Sequence, residues 1–103
     1  HIRVVEDPDE AARDADVINT DVWSSMGQED ETEERLKHFK RYQVNESLLG
    51  LAKEDVMVMH CLPAHRGEEI TEAVLEGPQS AVFDQAENKL YLHQALLLKL
   101  IKI

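Results

Sequence analysis

The chain has 103 residues, and its 21 Asp and Glu residues outnumber its 11 Lys and Arg residues, which gives a formal charge of −10. This length suits one domain, and the acidic balance argues against nucleic acid or an anionic membrane surface as a partner. The single cysteine, Cys61, excludes an internal disulfide framework and favours a reducing compartment, and no apolar run approaches the roughly 18 residues of a membrane span.

Short apolar runs and helical stretches alternate from the start of the chain. Residues 2–5 predict a short strand. Asp7 can then cap a helix that has Pro8 in its first turn and runs through Ala15. Residues 17–20 predict a second strand, after which a loop begins at Asp21.

The next segment is charged but helical in period. Residues 29–42 predict a helix whose inward face carries Leu36, Phe39 and Tyr42. Asn45 can cap a further short helix, which Gly50 would loosen at its end.

The second half predicts two more strands. The continuous apolar run at 56–59 is typical of a strand buried on both faces. A short helix at 71–76, closed by Gly77, leads to a last short strand at 81–83. Strands that alternate with helices predict an α/β fold, a parallel sheet with flanking helices of the Rossmann-like kind.

The chain ends in a predicted helix. Asp84 and Glu87 resemble a capping box at its start, and residues 95–103 are apolar almost all round. A helix apolar on every side must be covered by other protein, so we expect a further domain to contact it.

Two polar segments follow predicted strands, at 21–28 and at 60–67. Ligands of parallel sheets bind beyond the carboxyl ends of the strands, so these segments are the candidate site. In the first, a partly buried Asp21 suits a substrate ammonium group, or it simply braces its loop.

Cys61 is the reactive side chain of the second segment. It can serve as a nucleophile with His60 or His65 as base, as a polar contact to an amine, or as a small buried hydrophobe. Pro63 favours an extended backbone at Leu62. The spacing of these His and Cys residues does not match a zinc site, so we expect no metal.

Three motifs in order resemble ornithine carbamoyltransferases. They are DVWSSMGQ at 21–28, HCLP at 60–63 and QAEN at 85–88. Aspartate carbamoyltransferases tend to carry His-Pro-Leu-Pro-Arg at the second motif, so Cys61 favours the ornithine branch.

The resemblance implies a reaction in which the δ-amine of L-ornithine attacks carbamoyl phosphate and yields citrulline and phosphate. It implies no metal and no organic cofactor. By position, the ornithine contacts would come from Asp21, which would hold the α-ammonium group, and from Ser25 and Met26. Cys61 would lie beside the reacting amine as the catalytic residue and contact carbamoyl phosphate, whose carbamoyl group the Leu62 carbonyl would orient.

Lys89 departs from the family pattern. The family has an arginine directly after Ala-Glu-Asn, where it contacts carbamoyl phosphate, and Lys89 occupies that position here. Lysine keeps the charge but loses the planar fork for bidentate contacts.

The resemblance also implies missing parts. Residues 1–83 would be part of the ornithine-binding α/β domain, and the helix at 84–103 would pack on an absent N-terminal carbamoyl phosphate domain. We therefore expect this fragment alone to be inactive. No signal peptide opens the chain, which starts at His1, so we expect a cytoplasmic piece of a longer protein that acts in arginine metabolism as a homo-oligomer built from trimers.

Two other functions remain open at this stage. One is a carbamoyltransferase for a related amine, such as putrescine or N-acetylornithine. The other is a non-catalytic module that binds an amino acid or a partner protein, which the Lys89 departure and the missing domain leave open.

Overall fold

The computed structural model describes residues 1–24 and 32–101. Its helices and strands, in chain order, are α1 (Pro8–Ala12), β1 (Val17–Thr20), α2 (Thr32–Phe39), α3 (Glu46–Leu49), β2 (Met57–His60), α4 (Glu72–Leu75) and α5 (Val82–Leu100). A short 3-10 turn, Lys40–Tyr42, follows α2. None of the described helices is long and apolar enough to cross a membrane.

The two strands are parallel neighbours in one sheet. Their register pairs Val17 with Met57 at one end and Thr20 with His60 at the other. The residues that follow, Asp21 and Cys61, therefore leave the sheet side by side at its carboxyl edge. The predicted α/β class, with parallel strands and flanking helices, is confirmed.

Helices surround this pair of strands and bury one core. Helix α1 packs on α3, α3 on α4, and α5 on β2. Val58, at the middle of β2, is completely buried. It packs in a cluster with residues from the helices and loops, namely Ala12, Val44, Leu48, Ile70, Val74, Leu75 and Val82.

Side-chain caps define three helix starts. Asp7 accepts a hydrogen bond from the backbone N–H of Asp9, and Asn45 accepts one from Leu48 at 3.0 Å. Thr71 caps α4 in the same way. The predicted caps at Asp7 and Asn45 are confirmed, and each satisfies one of the backbone donors that a helix start leaves unpaired.

The predicted strand at 2–5 is wrong. Those residues adopt no regular structure, and Ile2 is 97% exposed. A strand needs a neighbour for its backbone groups, and the described sheet consists of β1 and β2 alone. The helix before β1 also stops at Ala12, short of Ala15.

The chain between β2 and the C-terminus also differs from prediction. Instead of a strand at 81–83, the backbone N–H of Ala81 makes one hydrogen bond to the carbonyl of Val58, and helix α5 begins at the next residue. Asp84 therefore lies inside the first turn, and no side chain caps the helix, so the predicted capping box is wrong.

Two burial predictions are wrong as well. Met57 is 46% exposed, so β2 is covered on one face more fully than on the other. Phe39 and Tyr42 are exposed too, and they contact each other at the surface. The predicted helix start at 29–31 lies outside the described residues.

Candidate functional site

Asp21 and Cys61 meet at the carboxyl edge of the sheet. The Cys61 thiol donates a hydrogen bond to Asp21 Oδ1 at 2.9 Å, and the backbone N–H of Val22 donates to the same oxygen at 2.7 Å. The register of the strands explains the contact, because each side chain directly follows one of two paired residues. Asp21 is exposed rather than partly buried as predicted.

This hydrogen bond changes the acidity of both groups. The thiol of Cys61 lowers the pKa of Asp21, aided by the Val22 N–H and by the positive charge of Lys89. The carboxylate of Asp21 in turn raises the pKa of Cys61, aided by partial burial of the thiol. Cys61 is thus held as a neutral thiol that donates a hydrogen bond, which opposes its interpretation as a covalent nucleophile.

Lys89 reaches this edge from helix α5. Its ammonium group donates a hydrogen bond to the backbone carbonyl of Cys61 at 2.8 Å. A positive charge therefore lies next to the Asp21 carboxylate and the Cys61 thiol, where an anionic substrate group can be attracted.

The backbone of the HCLP segment is held in an unusual shape. Leu62 has a φ of 58° in the left-handed region, not the extended backbone that Pro63 predicts. The backbone N–H of Leu62 donates a hydrogen bond to His60 Nδ1 at 2.8 Å, and this bond supports the turn. The side chain of His60 thus acts on the backbone of the loop.

His60 forms a fully buried pair with Glu69, a residue that sequence reasoning missed. His60 Nε2 lies 2.9 Å from Glu69 Oε1, and both side chains are inaccessible to solvent. The backbone N–H of His60 donates to the Gln85 side chain at 3.0 Å. Gln85 opens the QAEN motif, whose contact with β2 the sequence did not reveal.

Asp21, His60 and Cys61 could also be considered as metal ligands, since their ligand atoms lie within 4.8 Å of one another. Both ring nitrogens of His60 are already hydrogen-bonded, to Leu62 and to Glu69. A metal at this position would have to break one of these bonds, so the arrangement favours a metal-free site.

The first loop is described only at its start. The Trp23 ring stacks on Phe39 of α2, and the Trp23 carbonyl accepts a hydrogen bond from Arg35 at 3.4 Å. These contacts connect the loop to α2. Ser25 and Met26, which the resemblance assigns to ornithine, lie outside the described residues.

Comparison with known proteins gives a consistent result. A family model described as aspartate/ornithine carbamoyltransferase, Asp/Orn binding domain, matches residues 1–100. The ornithine carbamoyltransferase of Archaeoglobus fulgidus is 64% identical over 100 residues, which are 97% of this chain and 33% of that protein. That of Geobacter sulfurreducens is 58% identical, over 98% of this chain and 33% of that protein.

Solved structures agree with these relatives. The structure of ornithine carbamoyltransferase from Pyrococcus furiosus is 57% identical and superimposes with a TM-score of 0.84, over 93% of this chain and 32% of that chain. The chain therefore spans about a third of the length of the curated relatives it matches.

Proposed function

The chain belongs to the aspartate/ornithine carbamoyltransferase family, and we propose that the polypeptide containing it transfers the carbamoyl group of carbamoyl phosphate to L-ornithine. The products are L-citrulline and phosphate. The observation that carries this proposal is the Asp21–Cys61 hydrogen bond at the carboxyl edge of the sheet. It joins the two motifs that resemble the family's amine site, in a chain about 60% identical to ornithine carbamoyltransferases.

Asp21 is proposed to hold the α-ammonium group of ornithine, with Ser25 and Met26 completing the contact. Its lowered pKa keeps the carboxylate ionised at neutral pH. Its exposure leaves it accessible to a ligand. A charge-assisted hydrogen bond of this kind is typically worth about 1.5–3 kcal/mol.

Cys61 is proposed to lie beside the reacting δ-amine and the carbamoyl group. The amine must be neutral to attack, because its lone pair forms the new C–N bond. Phosphate then leaves with the electron pair of the broken C–O bond and takes up the proton that the amine loses. A site that positions the neutral amine against the carbonyl carbon accelerates this step without covalent chemistry on the protein.

Leu62 and Lys89 are proposed to act on carbamoyl phosphate. The left-handed turn at Leu62 sets the direction of its carbonyl, which would orient the carbamoyl group. Lys89 contributes a point charge next to the Cys61 carbonyl, at the position of the family's arginine. No metal or organic cofactor is part of this proposal.

Helix α5 is proposed to connect the two domains of the whole protein. In this assignment residues 1–83 belong to the ornithine-binding domain, and 84–103 pack on an N-terminal carbamoyl phosphate domain. Exposed apolar side chains along α5 support the second part, among them Leu90, Leu92, Leu96, Leu97, Leu98 and Leu100. From the resemblance we further propose that the whole protein is a cytoplasmic homo-oligomer built from trimers and that it acts in arginine metabolism.

The test is an assay of citrulline formation by the whole polypeptide that carries this chain. We expect turnover that requires both ornithine and carbamoyl phosphate, and little turnover of putrescine or N-acetylornithine. Putrescine keeps an ammonium group at this position but lacks the α-carboxylate of ornithine, and N-acetylation removes the charge that Asp21 would contact. If putrescine or N-acetylornithine reacted faster than ornithine, that amine would be the substrate instead. If no amine reacted, a non-catalytic binding module would be favoured.

A further inference from the structure

A second group of potential ligands lies just beyond the HCLP segment. His65 Nδ1 is 3.5 Å from Glu68 Oε2 and 3.9 Å from Glu69 Oε2. The ligand atoms of the three residues all lie within 4.8 Å of one another. None of the three is assigned a role in the carbamoyl transfer proposed above.

Glu69 gives this group an unusual feature. Its side chain is fully buried, and its Oε1 accepts hydrogen bonds from His60 Nε2 and from the backbone N–H of His65 at 2.7 Å. Its other oxygen, Oε2, has no hydrogen-bond partner among the described residues and faces His65. A buried carboxylate oxygen without a partner is costly, so this oxygen requires an explanation.

Two of the three separations fit a small divalent cation, and the third, between the two carboxylate oxygens, is no more than 4.8 Å. Ligands bound to zinc at about 2.0–2.1 Å in a tetrahedron lie about 3.4 Å apart. The 3.5 Å separation already meets this value, and the 3.9 Å separation needs a closure of only about half an ångström. His65 and Glu68 are partly exposed, so a cation can enter and keep water in its remaining position.

We propose that His65, Glu68 and Glu69 bind a divalent transition-metal cation of the zinc type. One imidazole nitrogen and two carboxylate oxygens suit such an ion, and the two carboxylate charges balance it. The hydrogen bonds from His60 and from the His65 backbone fix the Glu69 carboxylate so that Oε2 faces the site. Such support for a ligating carboxylate is a regular feature of protein metal sites.

The competing arrangement is a simple ion pair, in which a protonated His65 occupies the position of the cation between the two glutamates. It needs no metal and predicts no specific binding. The two arrangements are therefore separated by a binding measurement that does not depend on catalysis.

The experiment is a titration of the whole polypeptide, freed of metal by a chelator, with Zn²⁺ by calorimetry and with Co²⁺ by visible absorption. We expect one bound ion and a cobalt spectrum typical of tetrahedral or five-fold coordination. Glu68→Gln and His65→Gln should each weaken the affinity at least about tenfold. Both positions are partly exposed, so neither change should unfold the protein.

Two control variants sharpen the result. His38 is another exposed histidine beside a glutamate, Glu34, but no third ligand is close to it in the described structure, so His38→Gln should bind the cation as the parent does. Cys61→Ala tests binding at the other group, that of Asp21, His60 and Cys61. The proposal would be overturned if the His65 and Glu68 variants bound the cation as tightly as the parent protein does. It would also be overturned if only Cys61→Ala lost binding, or if the parent protein bound no cation.

Discussion

The carboxylate of Glu69 and the imidazole of His60 share a hydrogen bond of 2.9 Å in a place that solvent does not reach. The Leu62 N–H donates to His60 Nδ1, so Nδ1 carries a lone pair and the proton lies on Nε2, which donates to Glu69. Glu69 thereby fixes the orientation of the ring, and the ring fixes the turn of the HCLP segment. His60 acts on loop geometry and has no free nitrogen with which to serve as a base for Cys61.

This relationship predicts that Glu69→Gln destabilises the fold. An amide oxygen in the place of Oε1 could still accept from His60 and from the His65 backbone, but both hydrogen bonds would lose the negative charge that strengthens them, and a buried NH2 group would replace Oε2. We expect a loss of about 1–3 kcal/mol in the free energy of unfolding, measured from the urea midpoint at constant slope. The matched control is Glu68→Gln, one residue away and partly exposed, which should change stability by less than about 0.5 kcal/mol when both variants are compared in protein freed of metal. Equal losses of stability in Glu69→Gln and Glu68→Gln would show that the buried His60–Glu69 pair stabilises the fold no more than the partly exposed Glu68 does.

Asp21→Asn is expected to weaken ornithine binding much more than carbamoyl phosphate binding. The amide keeps the size of the side chain but removes the charge that faces the ammonium group. We expect the KM for ornithine to rise roughly 10- to 150-fold, while that for carbamoyl phosphate changes little. Asp16→Asn is the matched control, because Asp16 precedes β1 at its other end and pairs with Lys53. A parallel rise in both KM values of Asp21→Asn would contradict the assignment of this loop.

The pH dependence of Cys61 alkylation follows from the same contact. Asp21 raises the thiol pKa because a hydrogen bond to a carboxylate, and its negative charge, favour the protonated form. Below the raised pKa the thiol stays protonated, so alkylation by iodoacetamide should reach its midpoint at a higher pH in the folded protein than in urea. Asp21→Asn removes the charge and should shift the folded midpoint towards lower pH. If the midpoint pH of alkylation were the same in Asp21→Asn as in the parent, the Asp21 carboxylate would not control the pKa of the Cys61 thiol.

The central part of the site could be predicted from sequence because it depends on strand ends. Asp21 and Cys61 each directly follow the last residue of a strand, and parallel strands in register bring such positions together. The local sequence pattern is therefore enough to place these two residues at the same edge of the sheet. The same reasoning could not find Glu69, because it is one of two adjacent glutamates in a charged segment and only the tertiary fold distinguishes the buried one from its neighbour.

The errors in the fold also have physical causes. Residues 2–5 alternate like a strand, but a strand exists only where a neighbour supplies backbone partners. Near Ala81, the strand-like pairing is limited to one parallel bridge between Val58 and Ser80, made by two backbone hydrogen bonds, before α5 begins. An apolar run of two or three residues looks the same in the sequence of a strand and of a helix start. The QAEN motif drew attention to Gln85, but only the tertiary structure reveals its hydrogen bond with the backbone N–H of His60.

Helix α5 offers a prediction about the whole polypeptide. If a second domain covers its apolar face, Leu97→Glu should place a charge in that contact and lower the stability of the whole protein by about 2 kcal/mol or more. Gln94→Glu introduces the same charge three residues earlier and at a polar position, so it is the control. Thermal unfolding of both variants measures the difference. Identical melting temperatures would mean that Leu97 is exposed to water in the whole protein, as it is in this chain.

Lys89→Arg introduces the arginine that the resemblance predicts at this position, and it should lower the KM for carbamoyl phosphate several-fold. The guanidinium can make two parallel hydrogen bonds to two oxygens of a phosphate group, whereas the Lys89 ammonium is a point charge already bound to the Cys61 carbonyl. Lys89→Met removes the charge at similar length and should raise the same KM, with little effect on the KM for ornithine. Initial rates at varied carbamoyl phosphate and saturating ornithine measure both variants. If Lys89→Met leaves the KM for carbamoyl phosphate unchanged but lowers the melting temperature, Lys89 only supports the Cys61 backbone and does not contact the substrate.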